Sequence, residues 1–135
     1  MIEDSDSWEG FRLVAITSPC WWCGRTTLQR PQHWYAPFII ERAHVVNKPR
    51  RLDRRVAVLL CSRCHKLEHG EQFGNASHTI ARPTLPELLW LKRAIDPEFW
   101  DRAYMQANSV QVLPRARKPK ALGVEFSIKR LIAKE

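Results

Sequence analysis

At 135 residues the chain has room for one modest domain plus extensions, and a chain this short buries so limited a fraction of its surface that a metal or other staple is expected. Hydrophobic residues at 44% and charged residues at 27% are an ordinary globular balance, and no apolar run approaches the length of a bilayer span, which sets aside a membrane helix. The formal net charge of +8 calls for a polyanionic partner, although charge alone does not separate nucleic acid from an anionic membrane surface.

Residues 1–10, opening Met1-Ile2-Glu3-Asp4-Ser5-Asp6, are acidic where a signal peptide would be basic, and read as a loose acidic tail. The expected compartment is therefore cytoplasmic, where thiols stay reduced and clustered cysteines bind metal. Phe11 to Ile16 is a short apolar run, read as a strand leading into the first cysteine pair. Trp34 to Val46 carries the next strand signal, mixing β-branched with polar residues. Asn47 to Arg55 is basic and turn-prone around Pro49, and Val56 to Leu60 is apolar enough for a second strand. Ser62 to His69 reads as a short helix closed by Gly70.

Gly74 to Pro83 reads as a linker. Thr84-Leu85-Pro86-Glu87 then has the form of a capping box, opening a helix to Ile95. Asp96-Pro97 looks like a fresh N-cap with proline at N1, restarting a helix through Ala107. Leu88, Leu89, Leu91, Ile95, Phe99, Trp100 and Tyr104 supply its packing faces. From Pro114 the chain turns basic again, with Arg115, Arg117, Lys118, Lys120, Lys129, Arg130 and Lys134. The organisation expected is a tail over residues 1–10, a metal-stapled domain over 11–80, a helical extension over 84–108 and a basic tail over 109–135.

All four cysteines fall into two Cys-x-x-Cys pairs, Cys20/Cys23 and Cys61/Cys64. Four thiolates at this spacing close a tetrahedral Zn²⁺ site, each pair forming a tight knuckle. Gly24 suits the backbone twist after the first knuckle. The second pair opens the predicted helix, whose N-terminus favours thiolate charge. Two disulfides, or a redox pair beside two spare thiols, are the other readings. Trp21 and Trp22 either shield the metal or stack on a base.

His65 follows Cys64 directly and His69 comes four residues later. Positions i and i+4 share a helix face, so both imidazoles reach one cation, distinct from a zinc that already has four thiolates. Two or three protein ligands leave positions open for water or phosphate. The competing reading is two histidines on a helix surface. On the preceding strand, Glu41 and Ala43 share one face while Arg42 and His44 share the other. His44, neutral near pH 7, suits a general base that activates water, and Glu41 suits a hard cation; a purely structural histidine is the alternative.

Taken in order, Cys20-Trp21-Trp22-Cys23, Glu41-Arg42-Ala43-His44 and Leu59-Leu60-Cys61-Ser62-Arg63-Cys64-His65-Lys66-Leu67-Glu68-His69 resemble the HNH endonucleases over residues 18–70. The resemblance implies an α+β fold: a small zinc-stapled ββα-metal core of treble-clef type, followed here by C-terminal helices. It implies metal-dependent hydrolysis of phosphodiester bonds in DNA, leaving a 5′-phosphate. His44 would be the general base, and His65 and His69, with Glu41, would hold a catalytic divalent cation such as Mg²⁺, Mn²⁺ or Ni²⁺. Double-stranded DNA is the implied partner rather than a membrane, and phages and mobile elements commonly carry such compact proteins.

Two positions depart from the family pattern. Ala43 stands where the family has Asp or His as a further metal ligand, and Glu41, on the same face with a longer side chain, is the expected substitute. Val56 stands where the family has its middle Asn, leaving Asn47 and Asp53 to serve. If neither serves, the resemblance implies a weak nuclease or an inactive zinc-containing nucleic-acid-binding module.

Between the motif halves lie Lys48, Arg50, Arg51, Arg54 and Arg55, with Asp53 the only acid among them. In the implied fold this loop borders the active site, where its cations neutralise phosphates and make binding salt-sensitive. A solvated loop, or one half of an internal charge network, is the other reading. Arg63 and Lys66 extend the same surface. A third possibility, a zinc domain that docks a protein through its terminal helices, requires an exposed apolar face there.

Overall fold

The computed structural model describes residues 8–24, 39–46, 53–69, 82–109 and 111–119. In chain order these form helix α1 (Trp8–Thr17), strand β1 (Ile40–His44), a 3₁₀ turn (Arg54–Val56), strand β2 (Ala57–Cys61), helix α2 (Ser62–Glu68), helix α3 (Leu85–Ile95), a second 3₁₀ turn (Pro97–Phe99) and helix α4 (Arg102–Asn108). The architecture is a small α+β fold around one two-stranded antiparallel sheet.

The sheet pairs Ile40 with Cys61, Glu41 with Leu60, Arg42 with Leu59, Ala43 with Val58 and His44 with Ala57. β2 is buried along its whole length, which its unbroken run Ala57-Val58-Leu59-Leu60-Cys61 requires: no residue on it needs water. α1 packs on β1, while α3 packs on β2. α2 leaves β2 without a loop, because Cys61 is both the last strand residue and the N-cap of the helix. One hydrophobic cluster runs through Phe11, Trp21, Trp22, Val58, Leu60, Leu88, Leu91, Met105 and Leu113. The C-terminal helices are therefore part of the same core as the sheet.

Three expectations are corrected. Phe11 to Ile16 is helical, and α1 also takes residues 8–10 out of the expected tail. Helical spacing buries Phe11 and Ala15 together, whereas a strand would have buried Leu13 in place of the exposed side chain it is. Asp96-Pro97 opens only a 3₁₀ turn; α4 begins later, capped by the Asp101 carboxylate, which accepts from the Tyr104 backbone N–H at 2.9 Å. Thr84 does precede α3, but its hydroxyl donates to the Glu87 carboxylate and not to the backbone arrangement of a capping box. The C-terminal segment over 111–119 is extended and tied down: Arg102 donates to the carbonyls of Leu113 and Pro114, both at 2.8 Å, and the Arg117 N–H donates to the Pro86 carbonyl at 2.9 Å. Gly70, the proposed linker from Gly74, the segment from Trp34 to Phe38, and Lys120, Lys129, Arg130 and Lys134 lie outside the described residues.

Candidate metal centres

The turn after α1 carries Cys20 and Cys23, and the junction of β2 with α2 carries Cys61 and Cys64. The Trp21 N–H donates to the Leu59 carbonyl at 2.9 Å and so docks the first knuckle beside the second. All four sulfurs lie within 4.8 Å of one another, with Cys23 Sγ and Cys61 Sγ 3.9 Å apart. A tetrahedral site with Zn–S bonds of about 2.3 Å needs sulfurs about 3.8 Å apart, so the group fits zinc. The backbone is arranged for thiolates as well. Cys20 Sγ accepts the N–H groups of Trp22 and Cys23, and Cys61 Sγ accepts that of Cys64, each at 3.4 Å. Gly24 takes the positive φ of 79° that closes the first knuckle, and its N–H donates to the Cys20 carbonyl.

Electrostatics explains why such a group calls for a cation. Burial pushes the Cys20 thiol up, but hydrogen bonds from Cys23, Cys61 and Cys64 outweigh it and hold Cys20 well below the ordinary thiol value. Hydrogen bonds to Cys20 and Cys23 push Cys61 up, and Cys20, Cys23 and Cys61 push Cys64 up. A structural metal such as zinc would let all four sulfurs ionise together. Trp21 and Trp22 are both buried, which makes them cover for this site and leaves neither face open to a base.

A second group forms on α2. His65 Nε2 and His69 Nε2 approach to 3.1 Å, on adjacent turns of one helix face. The other ring nitrogen of His65, Nδ1, meets the Glu41 carboxylate at 2.7 Å. A proton on Nδ1 would be accepted by Glu41, which would leave the Nε2 lone pair toward His69. Glu41, expected as a further ligand of that cation, lies with its carboxylate against His65 Nδ1 and is not among the residues whose ligand atoms converge. Glu68 joins the pair, with a carboxylate oxygen 3.7 Å from His69 Nε2, and the ligand atoms of His65, Glu68 and His69 all lie within 4.8 Å of one another. Sequence reasoning passed over Glu68, although its place three residues after His65 puts it in the same row of the helix.

His44 sits elsewhere on β1. Its ring stacks on Trp8 of α1, with centroids 5.4 Å apart and planes 12° from parallel, and Arg42 lies over the same indole at 4.2 Å. Glu41 faces α2; His44 and Arg42 face α1, as strand alternation demands. Ala43 and Val56 are fully buried and apolar, so neither supplies a polar atom at its motif position.

The basic loop divides in two. Arg54 is an internal brace: its guanidinium pairs with Asp96 at 3.0 Å and lies over the rings of Phe11 and Phe99. Arg55 is more exposed, pairing with Asp53 at 2.9 Å while stacking 3.4 Å over Tyr104. Asp53, held down to about 2 by hydrogen bonding from Arg55 against the opposing effect of burial, also accepts from Tyr104 Oη and caps the Arg54–Val56 turn. It is thus occupied as a structural acid. Lys48, Arg50, Arg51 and Asn47 lie outside the described residues.

Among the described residues no helix is long and apolar enough to cross a membrane. Comparison with protein-family models, with curated proteins and with solved structures finds no match to this chain.

Proposed function

We propose that this chain is a metal-dependent endonuclease of the HNH kind, hydrolysing phosphodiester bonds in DNA on a treble-clef-like ββα core. The observation that carries the reading is the imidazole pair of His65, on α2, and His69, at its C-cap, 3.1 Å apart, beside the cysteines that open the same helix. With metal–nitrogen bonds of about 2.0–2.1 Å, that separation subtends about 100° at a cation, between octahedral and tetrahedral values. A divalent ion held there supplies positive charge to the scissile phosphate and the leaving oxygen.

The residues of the chain do the rest. Glu41 fixes the tautomer and plane of His65. His44, at the end of β1, takes the proton of the attacking water, its ring plane set by Trp8. His44 and Glu41 leave opposite faces of β1, as the neighbouring base and ligand of the family do, so the reading places the scissile phosphate at the strand end. Arg55, with Lys48, Arg50 and Arg51, neutralises flanking phosphates.

A second reading, a zinc-containing module that binds nucleic acid without cutting it, is favoured by Ala43 and Val56, which bring no polar side chain to two motif positions. Supercoiled plasmid incubated with Mg²⁺, Mn²⁺, Ni²⁺ or EDTA, beside a His44→Ala control that keeps its zinc and its melting transition, separates the two. The expected result is metal-dependent nicking that falls by about 10²–10⁴ in His44→Ala. No cleavage with any metal, together with salt-sensitive gel shifts, selects the binding module. Equal cleavage by both proteins excludes His44 as the base.

A further inference from the structure

Ala43 leaves the second metal group without a ligand from the strand, and Glu41 is turned to the back of His65. The helix itself offers the replacement. We propose that the cation site is completed within α2 by Glu68, giving a His65–Glu68–His69 ligand set backed by Glu41, and that this set selects a borderline transition ion such as Ni²⁺ or Zn²⁺ over Mg²⁺. The inference deepens the nuclease reading by naming its metal class, yet its geometry stands without any assumption about cleavage.

Three observations carry it. The donor atoms of His65, Glu68 and His69 already lie within 4.8 Å of one another, His65 and Glu68 on α2 and His69 at its C-cap, so the helix and its cap present all three to one point. The carboxylate oxygen of Glu68 comes within 3.7 Å of His69 Nε2, so a small side-chain adjustment brings the two to the separation of about 2.9–3.4 Å that ligands of one cation adopt. The contact of Glu41 with His65 Nδ1 at 2.7 Å is the outer partner by which a carboxylate holds a ligating imidazole in one tautomer and raises its basicity. Glu68 is only partly exposed while His69 is largely so, which leaves the outer side of the group open to water or a phosphate oxygen.

The donor chemistry sets the selectivity. Two imidazoles and one carboxylate suit borderline cations, whereas Mg²⁺ takes oxygen ligands, demands near-ideal octahedral geometry and gives up its water reluctantly. Only one of the three donors is oxygen, so Mg²⁺ gains little by entering.

The test is metal binding by the full chain carrying one equivalent of zinc, with no nucleic acid present. Ni²⁺, Mn²⁺ and Mg²⁺ are titrated by calorimetry, and zinc and added metal are counted after desalting. The expected result is one Ni²⁺ per chain beside the retained zinc and no Mg²⁺ binding in the same range. Glu68→Gln, of nearly the same shape, should weaken Ni²⁺ by about 10–100-fold, as should His69→Ala, while Glu41→Gln should weaken it by about tenfold with the stoichiometry unchanged. A Glu68→Gln protein that binds Ni²⁺ as the wild type does overturns the third ligand, and so does a wild type that takes up no second ion or binds Mg²⁺ equally well. The failures are distinguishable: normal Ni²⁺ binding without plasmid nicking defeats the nuclease and leaves the site, whereas nicking with unchanged Ni²⁺ affinity in Glu68→Gln defeats Glu68 and leaves the nuclease.

Discussion

Lys92, a cation in the last turn of α3, has no exposed surface. Its ammonium donates to the Arg54 carbonyl at 2.7 Å and to the Asp96 carboxylate at 2.8 Å, and Arg54 pairs with the same carboxylate. Two cations thus share one buried acid, with the rings of Phe11, Trp21 and Phe99 around the ammonium. Burial pushes Lys92 down from its ordinary 10.5 to about 8, against the pull of Asp96. The unfolded chain keeps that proton to higher pH, so between about 8 and 10.5 it binds more protons than the folded chain and unfolding becomes harder as pH rises. Below about 8 both states are protonated and the cost of burial stands in full. The stability of the wild type relative to Lys92→Met should therefore rise by about 2–3 kcal/mol between pH 7 and pH 10.5. Urea titrations of both proteins across that range measure it, the Met variant cancelling every other titration. A difference that stays flat or falls means that Lys92 keeps its charge inside the fold.

At the scale of elements, α1 is where local pattern and tertiary demand part company. The run from Phe11 to Ile16 satisfies a period of 2 as readily as one of 3.6, because Leu13 and Ile16 are as apolar as Phe11 and Ala15. The choice is made by what Phe11 reaches: its ring lies under Arg54 and edge-on to Trp21, residues that no local reading brings together. Phe11→Ala should cost about 3–5 kcal/mol in a denaturant titration, and Leu13→Ala should stay within about 0.5. Comparable losses at both positions would mean that the segment is extended. The same distinction explains which parts of the site were readable. Cys-x-x-Cys and His-x-x-x-His are spacings of about one turn, fixed by local geometry, and the two antiparallel strands, though not their register, followed from the strand signals at Trp34 to Val46 and Val56 to Leu60. The contacts of Glu41 with His65 and of Trp8 with His44 join elements far apart in sequence, so pattern named the residues without their partners. Arg54 shows the limit most plainly, since in sequence it is one more cation in a basic loop and in the fold it is an interior brace.

For the whole molecule the thiolate cluster is the joint on which the proposed activity hangs. Cys20 and Cys23 belong to the chain that leaves α1, Cys61 and Cys64 to the end of β2 and the start of α2, and the latter helix carries His65 and Glu68 with His69 at its C-cap. Among the described residues the core spans one two-stranded sheet and short helices, and folding energy from a structural zinc is commonly of order 10 kcal/mol or more in small metallodomains. Zinc stripped by a strong chelator should therefore abolish the cooperative melting transition and the near-ultraviolet circular dichroism, and added Zn²⁺ should restore both, with a melting temperature that climbs with free zinc. A stripped protein, its metal content checked, that still melts cooperatively at the original temperature would show that the hydrophobic cluster suffices and that the cysteines contribute only locally. The two metals also differ in what they control. If zinc builds α2 and the second cation only occupies it, then plasmid nicking lost on stripping must stay lost when Mn²⁺ or Ni²⁺ is supplied to a zinc-free chain, and must return only when Zn²⁺ is added with it. Nicking that returns with the second cation alone would uncouple the helix from the thiolate joint and confine the dependence to His65, Glu68 and His69.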